Sequence, residues 1–164
     1  MKKIITLTAV LVILCPCVCL ARQNTLYSIC NNVLDARDMV IAFQNNETGF
    51  SENDLLMVQD AAKDSLKDLR NLMAAPGIDG LRLTQVEIDA LQERLKGSMG
   101  SLAQLPASCN TAYTLIGAGY MVVMYGVDLA KTGMTEALSA LLISTGTAAI
   151  VVGIVAGIAC LLSM

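Results

Sequence analysis

Of the chain's 164 residues, 55% are hydrophobic and 15% charged, against roughly 25% charged residues in soluble domains, so a wholly soluble protein fits poorly. The absence of His removes the commonest general base and the commonest metal ligand together. A net charge of −3, without long runs of one sign, offers no basic patch for nucleic acid.

Residues 1–21 carry the three parts of a secretory signal peptide: Lys2 and Lys3, an uncharged run from Ile4 to Leu20, and small residues at Cys19 and Ala21 that leave Arg22 as the first mature residue. Lipidation of Cys15, Cys17 or Cys19 is disfavoured because Leu14, Pro16 and Val18 precede them. An uncleaved signal anchor is the alternative, since the apolar run reaches the lower end of spanning length.

Residues 22–96 form the expected exported, acidic helical bundle, with 8 basic and 12 acidic side chains, a net of −4. From Thr25 to Gln44, apolar residues at Leu26, Ile29, Cys30, Val33, Leu34, Val40 and Ile41 make one face at helical period. The breaker cluster from Asn45 to Gly49 ends that helix, and Asn46-Glu47-Thr48 within it is a glycosylation sequon. Ser51 with Asp54 starts the next helix, stapled by Phe50 and Leu55, and its face continues through Val58, Ala62, Leu66, Leu69, Leu72 and Met73 to the stop at Pro76-Gly77. Met39, Met57 and Met73 are expected to fill the core. Thr84 and Glu87 form a capping box, with Leu83 and Ile88 as its staple, for a third helix whose core face is Ile88, Leu91 and Leu95. Three amphipathic helices of this kind predict a small antiparallel bundle.

A linker over 97–110 leads to two candidate membrane helices, 111–130 and 137–164, joined by a short loop over 131–136. The 28 residues from Ala137 to Met164 carry no charge and are long enough to cross a hydrocarbon core of about 30 Å. Asp128, Lys131 and Glu136 are the only charges after Lys96, and they mark the turn of an antiparallel hairpin. With the signal cleaved, the turn would face the cytoplasm and both mature termini the outside, periplasmic or extracellular. A GPI-attachment signal is a further reading of the apolar carboxyl end, although its polar spacer is only partly present.

Cys30 and Cys109, the two mature cysteines outside the last apolar run, are the expected disulfide pair; two buried thiols are the alternative. Gly146, Ala149, Gly153, Ala156 and Cys160 recur at three- and four-residue spacing, and Gly153 with Gly157 makes a G-x-x-x-G that lets helix backbones approach closely. These small residues either seal the hairpin against Gly119, Gly126 and Ala130 or mediate assembly between copies. Gly117, Gly119 and Val122 fall short of a dinucleotide fingerprint. Asp60, Asp64 and Asp68 interleave with Lys63, Lys67 and Arg70 as an ion-paired surface rather than a metal site.

The expected fold is therefore all-α: a three-helix bundle followed by a transmembrane helical hairpin. No nucleophile with a base partner and no cofactor, metal or small-molecule site is expected. The expected role is a non-enzymatic, membrane-anchored module that binds or scaffolds a protein partner. The alternative is self-association into a pore-like or pilin-like multimer. In layout alone the hairpin resembles the two-helix pilins of conjugative systems, from which the additional 75-residue charged region departs.

Overall fold

The computed structural model describes residues 25–44, 49, 51–97, 109–133 and 135–163. The expected signal segment, the sequon, Phe50 and most of the expected linker lie outside the described residues. Five α-helices make up the described chain, with no strand among the described residues: α1 (Leu26–Gln44), α2 (Glu52–Ala74), α3 (Gln85–Gly97), α4 (Asn110–Lys131) and α5 (Glu136–Leu162). A short 3-10 turn over Asp79–Leu81 precedes α3.

Local chemistry sets the helix boundaries. At α2 the Ser51 amide donates to Asp54 Oδ2 at 2.7 Å and the Asp54 amide donates back to Ser51 Oγ at 3.3 Å, so two amide donors are satisfied reciprocally. The Ser51 amide and hydroxyl, both donating to the Asp54 carboxylate, hold that carboxyl below its ordinary value. Before α3, Thr84 and Glu87 repeat the arrangement at 2.8 and 3.3 Å. Between α4 and α5 the chain reverses through Thr132 and Gly133, where Gly133 takes φ of +72°, a conformation that disfavours residues with a Cβ.

Helices α4 and α5 pack along each other as an antiparallel hairpin. The other helices do not close a bundle of their own. Helix α1 packs on α2 and on α5, α2 also lies against α5, and α3 packs chiefly on α4. One continuous core runs from Leu26, Val33 and Val40 of α1 through Leu91 and Leu95 of α3 to Val123 and Ile150 of the hairpin. The all-α fold with a C-terminal hairpin is as expected from the sequence, whereas a three-helix bundle closed on itself is not seen. An apolar helix face must be covered by another apolar surface, and the hairpin offers one to each of α1, α2 and α3. Met39, Met57 and Met73, expected inside, are all exposed.

Candidate functional site

Glycine decides how closely α4 and α5 approach. A Cβ on Gly146 would stand 2.5 Å from the Gly119 carbonyl oxygen, and one on Gly153 would stand 2.6 Å from Ile116 Cγ1 and 2.8 Å from the Ala112 carbonyl oxygen. On the other helix, a Cβ on Gly126 would meet Ile143 Cγ1 at 2.8 Å. Gly157 is buried in the same seam but less tightly, its nearest neighbours lying 3.8 Å from an added Cβ.

The structure therefore divides the small-residue stripe. Gly146, Gly153 and Gly157 face α4, whereas Ala149 is half-buried and Ala156 exposed. At about 100° per residue, Ala149 and Ala156 are rotated by roughly 60° to 80° from Gly146, which turns them off the seam.

The open end of the hairpin is closed by a disulfide between Cys109 and Cys160, Cα atoms 6.0 Å apart. This replaces the expected Cys30–Cys109 link. Cys109 immediately precedes α4 and Cys160 lies in the last turn of α5, so the antiparallel register brings them together. Cys30 is free and fully buried, its side chain next to that of Thr147 on α5, and burial pushes the thiol up to about 11.

A belt of charge crosses the hairpin at mid-length. Arg37 of α1 is fully buried, with its guanidinium carbon 4.7 Å from the centroid of the Tyr120 ring on α4. Burial lowers its pKa, and the Asp38 carboxylate, 3.0 Å from Nη1, opposes that shift. The Tyr120 hydroxyl donates to the Leu95 carbonyl of α3. Next to Leu95, Arg94 reaches Asp35 at 2.6 Å and Asp38 at 3.3 Å and donates to the Asn31 side chain at 2.8 Å, binding α3 to α1.

Arg37 was not singled out from the sequence, although the signal is present. It stands four residues after Val33 and three before Val40, in the middle of the apolar face.

Away from these contacts the hairpin turns an uncharged surface outward. Met121, Tyr125, Leu138, Leu141 and Val152 are all exposed, and fewer than half of the residues in either membrane-length window are buried. The charged residues gather at the turn end, where Lys131 donates to Gln92 at 2.7 Å, Gln92 donates to Asp128 at 3.1 Å, and Arg82 pairs with Glu136 at 3.0 Å.

Beside the turn lies a groove of about 510 Å³ between the 3-10 turn, α3 and α5, with Leu81, Leu83, Ile88 and Leu141 in its walls and the Arg82–Glu136 pair at its lining. Asp60 and Asp64 are exposed, and Asp60 pairs with Lys63 at 3.2 Å. Among the described residues, no three His, Cys, Asp or Glu side chains come together as a metal site.

Comparison with protein-family models, curated proteins and solved structures finds no match.

Proposed function

We propose that the chain is an exported, membrane-anchored helical module in which the α4–α5 hairpin engages the lipid bilayer and the charged outer faces of α1–α3 bind or scaffold a protein partner, without catalysis. The observation that carries this reading is the outward face of the hairpin. Large apolar side chains stand in the open along two helices of 22 and 27 residues, and α5 has no charge after Glu136. Exposed apolar surface of that extent marks a membrane or protein contact, and its length matches a bilayer crossing.

Substitution on the outward face tests the reading. Val152 is 48% exposed, so Val152→Asp leaves the packed fold in water intact while placing a carboxylate where lipid should lie. Alkaline carbonate extraction of cell membranes should retain the parent chain and release the variant. Release of both would end the membrane reading.

Assembly between copies is a second reading. It is supported by two small residues turned off the seam one heptad apart on α5, the exposed Ala156 and the half-buried Ala149. Cross-linking in native membranes tests it, because a monomeric parent chain would exclude it.

A further inference from the structure

The packed arrangement and a membrane-spanning hairpin are incompatible with each other. Tyr120 stands ten residues from Asn110 and eleven from Lys131, at the middle of α4. Arg37 lies over its ring and pairs with Asp38, which Arg94 also reaches together with Asp35, all four belonging to α1 and α3. Thr147, which the Cys30 side chain of α1 reaches, is close to the middle of α5. If the hairpin crossed a bilayer with this cover in place, those charges would sit at the centre of the hydrocarbon, where ionised side chains are most costly.

The glycine seam of the hairpin needs little from its cover, although the Tyr120 hydroxyl gives up its bond to the Leu95 carbonyl when α3 leaves. At about 1.5 Å per residue, α5 is long enough to cross a hydrocarbon core of about 30 Å. The hydroxyls of Ser139 and Thr147 donate to carbonyls of their own helix, at 2.9 and 2.7 Å, which is how polar side chains are satisfied in lipid. The disulfide closes one end and the Gly133 turn the other, while Gly119, Gly126, Gly146 and Gly153 hold the two helices together. Nothing in that seam depends on α1, α2 or α3.

We infer that the five-helix form is the water-side state of the chain, and that the disulfide-closed α4–α5 hairpin enters a lipid bilayer as a unit by leaving the cover of α1 and α3. The faces around Tyr120 and Thr147 then exchange protein for acyl chains, and Arg37 and Cys30 pass from a buried setting to water. This rests on the membrane reading above and adds to it the step by which the membrane is reached.

Because the Cys30 side chain reaches that of Thr147, the substitution Thr147→Cys should let an oxidised bond weld α1 to α5. Purified full-length protein is mixed with vesicles of phosphatidylcholine and phosphatidylglycerol, and the carbonate-resistant bound fraction is measured after flotation. The parent chain should insert without reductant, and its insertion under reductant is the reference for the reduced variant. Welded Thr147→Cys, verified by mass, should insert less by about tenfold or more and recover on reduction. Cys30→Ala combined with Thr147→Cys cannot form the weld and should insert like the parent.

A welded chain that inserts as well as the parent overturns the lift-off and leaves the membrane reading standing. A parent chain that never becomes carbonate-resistant overturns both. Equal loss in the unlinkable double variant also overturns the lift-off, because the loss then follows Thr147 rather than the weld. An independent measurement needs no substitution. In the parent, Cys30 should resist a water-soluble maleimide until vesicles are added, and continued protection in the inserted protein overturns the inference.

Discussion

Arg37 lies over the ring of Tyr120, 4.7 Å from its centroid, and this contact fastens a charged amphipathic helix to the apolar middle of the hairpin. The ring supplies part of the attraction, the Asp38 carboxylate another part, and the buried stem of the side chain fills volume between α1 and α4. These contributions can be separated by substitution.

Arg37→Ala removes both charge and volume and should destabilise the packed form by about 2–4 kcal/mol. Arg37→Met keeps most of the volume and gives up a charge that is costly to bury, so its loss should stay below about 1.5 kcal/mol. Denaturant unfolding of the two variants in water measures the difference. Equal losses would mean that the charge, and not the packing, fastens the helix.

The glycines of the seam should respond according to the space each one faces. Gly146→Ala forces a methyl group against the Gly119 carbonyl and should cost about 1–3 kcal/mol. Gly157→Ala meets only ordinary contacts at 3.8 Å and should be neutral, or stabilising by up to about 1 kcal/mol through helix propensity. Thermal unfolding of both variants decides the matter, and a reversed order would place the seam elsewhere.

Cys30 makes stability depend on alkaline pH. Its folded value of about 11 lies above the ordinary 9.0, so the folded state holds its proton more tightly than the unfolded chain. The stabilisation is complete below pH 9 and is lost as pH rises through about 11, a decline of roughly 2–3 kcal/mol. Comparing urea midpoints at pH 8 and pH 11 for the parent and Cys30→Ala isolates this decline from other titrations. A parent whose slope matches that of the variant would assign the pH dependence to other groups.

The disulfide has a stability consequence of its own. A bridge across 51 residues should contribute about 4 kcal/mol in the chain-entropy model, so Cys160→Ser should lower the unfolding midpoint and leave Cys109 open to alkylation. Mass mapping without reductant should recover a Cys109–Cys160 peptide and a separate Cys30. A Cys30–Cys109 peptide would reverse the assignment.

Helix positions were legible in the sequence wherever the signal is local. Ser51 with Asp54, and Thr84 with Glu87, mark their helices within a single turn. The partner of each helix face was not legible, because an apolar stripe such as Ile88, Leu91 and Leu95 specifies that it will be covered and not by what. Helix α3 accordingly packs on α4 instead of completing a separate bundle.

Two misses had readable signals. Cys109 lies 24 residues before Gly133 and Cys160 lies 27 after it, nearly equal distances along an antiparallel pair, yet Cys160 was set aside because of its apolar surroundings. Arg37 is charged by residue type, yet its register between Val33 and Val40 places it in the core. Neither position is decided by composition, and both follow from the geometry of two helices meeting.

The Cys109–Cys160 bridge makes the hairpin a closed covalent ring, and Lys131 is the only lysine or arginine within it. Trypsin therefore has one place to cut the ring, at an exposed residue beside the turn. A cut there leaves a two-chain species of undiminished mass, still held by sulfur and by the glycine seam, and separates it only after reduction. The ring can lose its backbone continuity without shedding either of its helices.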